Sequence, residues 1–262
     1  MVSEKDVHEA LKSLGIAPND TVTVHSSLRS VGSIEGGADG LIDAFCSYLT
    51  DGLLLIPTHT WRDFSKRRFD VKNSEPCLGV LSHVAAHRPD AVRSLHPTHS
   101  MVGFGRRAEE YLAGEERCAT PTPPHSALGR LYGVRGKILL IGVGHECNTF
   151  LHAAEEMLKV PNRISPEGFV LEIHTSDGRT LKSPAFHPFH SEGIPRGASE
   201  YFPNYKKPLE ECGAVIYGSL GGALVYCCDA YRTVETLRML WDAAEYDLCS
   251  SAREIPTRYY RK

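Results

Sequence analysis

One stretch gathers the residues best suited to chemistry: Gly142-Val143-Gly144-His145-Glu146-Cys147-Asn148-Thr149-Phe150-Leu151-His152-Ala153-Ala154-Glu155. The apolar run from Lys137 to Val143 reads as a buried strand; glycines end it and a helical pattern follows. On that helix His152 and Glu155 stand three apart, so they share a face. A carboxylate beside an imidazole fixes its tautomer and raises its basicity. His152 is therefore a candidate general base, with Glu155 to orient it. The same spacing equally describes a partly buried histidine with an ordinary helix salt bridge, and spacing alone leaves both open. Cys147 is a nucleophile in principle. Asn148 reads as the helix cap, a position that favours Asn.

A second cluster, His96-Pro97-Thr98-His99-Ser100, places two histidines three apart. Such a pair shares a metal only on a helix. Pro97 argues against a regular helix there, and no pattern supplies a third ligand. No catalytic metal is expected. His96 reads equally as a buried histidine bonded to backbone.

The elements that must position these residues follow one logic. Lys5 to Leu14 reads as a helix and Thr21 to His25 as a short strand. A polar, glycine-bearing loop comes next, then a helix over Ala38 to Leu49 and a strand over Leu53 to Pro57. Strand, loop, helix, strand is the order of an α/β domain with a parallel core. Leu78 to Ala86 and Arg106 to Ala113 read as helices, and Ala119-Thr120-Pro121-Thr122-Pro123-Pro124 as a loop. Beyond Pro161 the pattern changes. Phe169 to Thr175 alternates apolar and polar residues, Asp177-Gly178 signals a turn, and Thr180 to Phe186 returns. A helix near Leu209 to Cys212, strands over Ala214 to Leu220 and Gly222 to Cys228, and a helix from Ala230 to Tyr246 complete the chain. The expected fold is α/β: a mixed sheet with a parallel core flanked by helices, plus an antiparallel β addition in the C-terminal part. A single domain over 1–262 is expected, divisible at most into 1–161 and 162–262.

Composition excludes several classes. The 262 residues, 42% of them hydrophobic, suffice for a sizeable core. A net charge of -3 offers no broad attraction to polyanions, so nucleic acid is not an expected partner. Met1-Val2-Ser3-Glu4-Lys5-Asp6 lacks the apolar core of a signal peptide, and no apolar stretch reaches membrane-spanning length. A soluble, cytoplasmic protein with no membrane partner is expected. The eight cysteines are scattered without Cys-x-x-Cys spacing and read as reduced apolar fillers.

Four blocks in order resemble the aminoglycoside 3-N-acetyltransferases. The first is His25-Ser26-Ser27-Leu28-Arg29-Ser30-Val31-Gly32 with Glu35-Gly36-Gly37-Ala38. The second is Arg93-Ser94-Leu95-His96-Pro97-Thr98-His99-Ser100-Met101-Val102, and the third is Pro124-His125-Ser126-Ala127-Leu128-Gly129-Arg130-Leu131. The fourth is Asn148-Thr149-x-Leu151-His152-x-x-Glu155. Order and spacing agree from about Val2 to Pro161; the C-terminal hundred residues match less clearly.

The resemblance implies acetyl transfer from acetyl-coenzyme A to the 3-amino group of a 2-deoxystreptamine antibiotic. It implies no resident metal and direct attack without an acyl-enzyme. It gives residues 1–161 the cofactor and catalysis, and 162–262 the acceptor. His152 would take the amine's proton, and Glu155 would steady the imidazolium. Thr149 is either an oxyanion donor or a second cap. Ser26, Ser27, Arg29, Ser30 and Val31 would hold the coenzyme, since a loop between strand and helix offers N–H groups to phosphate and Arg29 can pair with it. Ser100 and Ser126 are expected to line the same cleft. Acceptor contacts are expected from Trp61, Asp63 and Glu75 in a long loop, and from His190 and Glu192 after the hairpin. Only one carboxylate, Glu192, stands where antibiotic-modifying relatives carry an Asp-rich segment. Another small amine as acceptor, or hydrolysis of the thioester, is the alternative. A small-molecule partner and a monomer or homodimer complete the expectation.

Overall fold

Leu53-Leu54-Leu55-Ile56 and Ile138-Leu139-Leu140-Ile141 are apolar at every position. Strands of this kind can leave neither face in water, so each needs a helical layer on both sides. A computed structural model of the chain, which describes residues 1–61, 66–188, 197–244 and 254–261, has that arrangement. Its strands are β1 (Thr21–Ser26), β2 (Leu53–Pro57), β3 (Arg68–Asp70), β4 (Val92–Arg93), β5 (Met101–Phe104), β6 (Lys137–Ile141), β7 (Ile164–His174), β8 (Thr180–Pro188), β9 (Val215–Leu220) and β10 (Ala223–Asp229). Its helices are α1 (Glu4–Ser13), α2 (Leu28–Val31), α3 (Gly37–Tyr48), α4 (Val80–His87), α5 (Ala108–Leu112), α6 (Ala127–Gly133), α7 (Phe150–Met157), α8 (Lys206–Glu211) and α9 (Ala230–Ala243).

The main sheet has seven strands in the order β4-β5-β2-β1-β6-β10-β9. Its centre is parallel, with β1 between β2 and β6. Its flanks are antiparallel: β5 against β2, and β10 against β6. Alternation along each central strand builds two cores. Leu54, Ile56, Leu139 and Ile141 pack with Leu41 and Phe45 of α3 and with Leu11 of α1. Leu53, Leu55, Ile138 and Leu140 pack with Leu128 of α6, Phe150 of α7 and Val234 of α9. The result is the expected mixed α/β sheet between helical layers.

The C-terminal part divides in two. The β7–β8 hairpin leaves the main sheet and pairs with β3, a short parallel strand inside the expected loop after Trp61. The β9–β10 hairpin instead extends the main sheet, so β10 pairs with β6 across residue 161. Strands β3, β4 and β5, of three, two and four residues, were not expected. They are too short to show a period, and neighbouring strands hold them.

This topology prepares one edge. The chain leaves β1 for β2 on one side and later returns to β6 on the other. The carboxyl ends of β2, β1 and β6 therefore open together at a switch in strand order, where α/β sheets bind ligands. Gly142 ends β6 with φ of 66°, and a Cβ there would lie 2.5 Å from the Ser30 side chain. Only glycine meets both conditions. No helix among the described residues is long and apolar enough to cross a membrane.

Leu140 is fully buried, whereas Ile216 on the β9 edge is 47% exposed. Leu140→Ala should lower unfolding free energy by about 2–5 kcal/mol, and Ile216→Ala by less than about 0.5 kcal/mol. Denaturant titration of both variants checks the assignment of core and surface.

Candidate active site

A cleft of about 530 Å³ opens at that carboxyl edge. His25 and Ser26 come to it from the end of β1, His59 and Trp61 from beyond β2, and Cys147, Asn148, Thr149 and His152 from the segment after β6. Helix α4 supplies a wall through Leu81 and Ser82, His99 comes from the turn before β5, and Arg163 from just before β7. Each parallel strand thus delivers a histidine or its near neighbour to one space.

His152 packs edge-on against Phe202, ring centres 4.7 Å apart and planes at 64°. Burial, and then the Arg163 charge, push its pKa down to about 4. The ring is neutral near pH 7, so a nitrogen lone pair is available for a proton.

Glu155 does not meet it directly. This carboxylate is fully buried and lies outside the cleft lining. Arg163 donates to it twice, Nε to Oε2 at 2.6 Å and Nη2 to Oε1 at 3.2 Å. The Tyr205 hydroxyl donates to Oε1 at 3.0 Å. The expected contact between Glu155 and His152 is corrected accordingly. Three residues along a helix leave side chains roughly 60° apart, enough for one to face the cleft and the other the interior. Glu155 thus pairs with the arginine whose charge helps to lower the His152 pKa.

Sequence reasoning assigned no role to His25 or His59 and gave His99 only a rejected metal reading. Burial lowers His25 to about 4. His59 and His99 fall well below the ordinary value, from burial first and then from mutual repulsion among the neighbouring imidazoles. Their rings lie 4.6 Å apart. The signal for His59 was its place just past the end of a parallel strand. His25 Nε2, Ser26 Oγ, His59 Nε2 and both side-chain polar atoms of Asn148 are buried with no hydrogen-bond partner among the described residues. Buried polar atoms are rarely left so, and all of these residues line one cleft. Asn148 is not the cap expected: Thr149 holds the cap position of α7, and its side chain makes no capping bond.

Other expected residues have structural tasks. Ser100 is buried and donates to the Thr58 carbonyl at 2.7 Å. Ser126 caps α6, accepting from the Gly129 N–H at 3.1 Å. Neither lines the cleft, which corrects that reading; both are tied to turns behind it. Val31 is buried in the core on the α1 side of the sheet. Ser27 N–H donates to the Ile141 carbonyl at 2.9 Å, and Ser30 Oγ donates to Ser27 Oγ at 3.0 Å. Arg29 is exposed on α2. These four also lie outside the lining, beside the end of β6. Trp61 lines the cleft; Glu75 does not, and bonds His83 and His87 instead. Asp63, His190 and Glu192 lie outside the described residues. His96 is the backbone-bonded histidine: its Nδ1 accepts from the N–H groups of Thr98 and His99 at 3.2 and 3.1 Å. Cys147 sits at the cleft with its thiol pKa raised by partial burial and by Glu146, which disfavours thiolate.

Two outcomes follow for stability. Glu155→Gln leaves Arg163 charged and buried, and should cost about 3–5 kcal/mol in unfolding free energy. His25, His96, His145 and His152, all lowered to about 4, stay neutral when folded while their unfolded forms protonate below about 6.5. The unfolded chain thus binds more protons, and stability falls as pH drops from about 6.5 towards 4. His25→Gln should reduce that slope by up to about 1.4 kcal/mol per pH unit, read from denaturant midpoints across the window.

The model of the family described as aminoglycoside 3-N-acetyltransferase matches residues 23–241. Aminoglycoside N(3)-acetyltransferase IV of Salmonella sp is 36% identical over 178 residues, covering 66% of this chain and 64% of that protein. The chain's match therefore spans under two thirds of that relative's length. The fold is similar to the crystal structure of the aminoglycoside acetyltransferase AAC(3)-IVa apoenzyme, with TM-score 0.76, 28% identity, and coverage of 98% of this chain and 93% of that one. It is equally similar to a histidine-to-alanine mutant of AAC(3)-IVa in complex with a gentamicin, at TM-score 0.76 and 28% identity, covering 97% and 98%. A family match over most of the chain and a shared fold agree: the chain belongs to the aminoglycoside 3-N-acetyltransferase family.

Proposed function

We propose that the chain transfers the acetyl group of acetyl-coenzyme A to the 3-amino group of a 2-deoxystreptamine aminoglycoside. The observation that carries this reading is a neutral imidazole, His152, facing a cleft lined by buried polar atoms without protein partners among the described residues. Family membership supports the reaction class. The gentamicin complex of the relative supports the acceptor class, and it is a property of that protein.

The chemistry is a direct displacement. An ammonium has no lone pair, so a proton must leave before the nitrogen can attack. That proton goes to solvent; as the neutral nitrogen then bonds to the thioester carbonyl carbon, His152 accepts a second proton, which it can return to the departing thiolate. The tetrahedral intermediate then collapses, the carbon–sulfur bond breaks, and the thiolate leaves and is protonated. Arg163 opposes the imidazolium and Glu155 pairs with Arg163, so Glu155 is a positioning residue. Thr149 opens α7 with no capping bond, which favours its reading as a hydroxyl donor to the developing oxyanion. The loop around Ser26, Ser27, Arg29, Ser30 and Val31 stands at the strand ends where a coenzyme phosphate would meet backbone N–H groups. Glu146 is the carboxylate among the described lining residues, and it offers a cationic acceptor a partner. We read the chain as one catalytic unit, because β10 is hydrogen-bonded to the strand that leads into α7.

Thiol release from acetyl-coenzyme A, with and without a panel of aminoglycosides, tests the proposal. Acceptor-dependent release is expected. Release independent of any acceptor would replace the reading with a thioester hydrolase. His152→Ala should lower kcat by about 10²–10⁴-fold, and near-wild-type turnover would overturn its role. Cys147→Ala should keep full activity, whereas its loss would restore a covalent route.

A further inference from the structure

Outside the cleft, Glu75, His83 and His87 form a group whose ligand atoms all lie within 4.8 Å of one another. His83 and His87 stand one turn apart on α4, and Glu75 comes from the segment just before that helix. Glu75 Oε2 lies 3.1 Å from His83 Nδ1, and Oε1 lies 3.1 Å from His87 Nε2. We propose that these three side chains bind a divalent transition-metal ion of the Zn²⁺, Co²⁺ or Ni²⁺ class on the outer face of α4.

Proton placement leaves room for a cation between the two groups. His87 Nδ1 lies 2.8 Å from the backbone carbonyl oxygen of His83. A carbonyl only accepts, so Nδ1 must carry the hydrogen, and in the neutral ring Nε2 then presents a lone pair. That lone pair faces a carboxylate oxygen, which likewise offers only lone pairs. Two such atoms stand at 3.1 Å only when a cation is shared between them. A proton is one such cation and a metal ion is the other. The bond from His87 Nδ1–H to a carbonyl is the support that metal-bound histidines ordinarily receive, because it fixes the tautomer and aims the other nitrogen. The two carboxylate–imidazole distances of 3.1 Å are close to the roughly 3.3 Å that metal–ligand bonds of about 2.0–2.1 Å set between neighbouring tetrahedral ligands. Two imidazoles and one carboxylate favour borderline metals over Mg²⁺ or Ca²⁺. Three protein ligands at an exposed position leave the remaining coordination to water.

Such an ion would brace a wall of the cleft. The segment after Glu75 is tied to the exit of β2, where the Cys77 N–H donates to the His59 carbonyl at 2.8 Å. The other face of α4 gives Leu81 and Ser82 to the cleft. Glu75, His83 and His87 themselves lie outside it, so this proposal stands apart from the acetyl-transfer reading.

Full-length protein, reduced and stripped with a chelator, is titrated with Zn²⁺ by calorimetry and with Co²⁺ by absorbance at pH 8, where protons compete least. One saturable site is expected, with Co²⁺ bands of nitrogen and oxygen ligation and no near-ultraviolet thiolate band. Saturating Zn²⁺ should raise the Tm. Glu75→Gln, His83→Asn and His87→Asn should each weaken the site by at least about tenfold, as loss even of supporting bonds does elsewhere, and abolish the Tm shift. Each position is on the surface, so folding is expected to survive and is checked by circular dichroism. Absence of a one-equivalent site, or a site unchanged in both histidine variants, would leave only a protonated His87–Glu75 ion pair and overturn the proposal.

Discussion

The buried ion pair between Glu155 and Arg163 ties the helix that carries His152 to the strand that follows it. Glu155 sits on α7, the helix that carries His152. Arg163 stands at the entrance to β7, and Tyr205, which also donates to the carboxylate, ends the turn that brings Phe202 against the imidazole. Two neighbouring segments and a third 50 residues along the chain are thus tied at one carboxylate. Burying two charges is unfavourable until their mutual attraction and added hydrogen bonds offset the lost hydration. Here the bidentate fork and the tyrosine supply those bonds. The pair also places a cation near His152, and that charge adds to burial in lowering the pKa of the imidazole.

Around that point the sheet imposes a second constraint. Parallel strands place all their carboxyl ends on one edge, so residues that follow β1, β2 and β6 converge without any local signal linking them. His25, His59 and the segment from Gly142 to His152 meet for this reason alone. Gly142 makes the convergence close, since its left-handed backbone and missing side chain let the β6 exit press against Ser30.

Much of this was legible in the residues. Continuous apolar runs at Leu53 and Ile138 dictated two-sided burial and so a layered α/β fold. The glycines after β6 and the helical pattern that follows them marked α7, the helix that carries His152. Pro97 correctly spoke against a helical histidine pair, and the backbone bonds of His96 Nδ1 explain what that residue does instead. What could not be read was orientation. Spacing puts Glu155 on the same helix face as His152, but a partner eight residues further on, Arg163, decides where its carboxylate points. Ser100 and Ser126 look like site residues because they fall in the blocks that resemble the family, yet Ser100 bonds the Thr58 carbonyl and Ser126 caps α6. Glu75 looked like an acceptor contact because its loop is long and polar; its nearest partners are two histidines on the far side of α4. The short strands β3, β4 and β5 owe their existence to neighbours and left no period to find.

The uncharged condition of the clustered imidazoles has a consequence for traffic. A multiply cationic guest approaching at neutral pH meets no opposing charge at the mouth, because the one arginine among the described lining residues is already countered and Glu146 offers attraction. In an acidified medium the same rings would begin to titrate, each proton adding a repelling centre in a confined, poorly hydrated space. Because those rings take up protons in the fold only near pH 4, the scaffold loses stability before the pocket gains that charge.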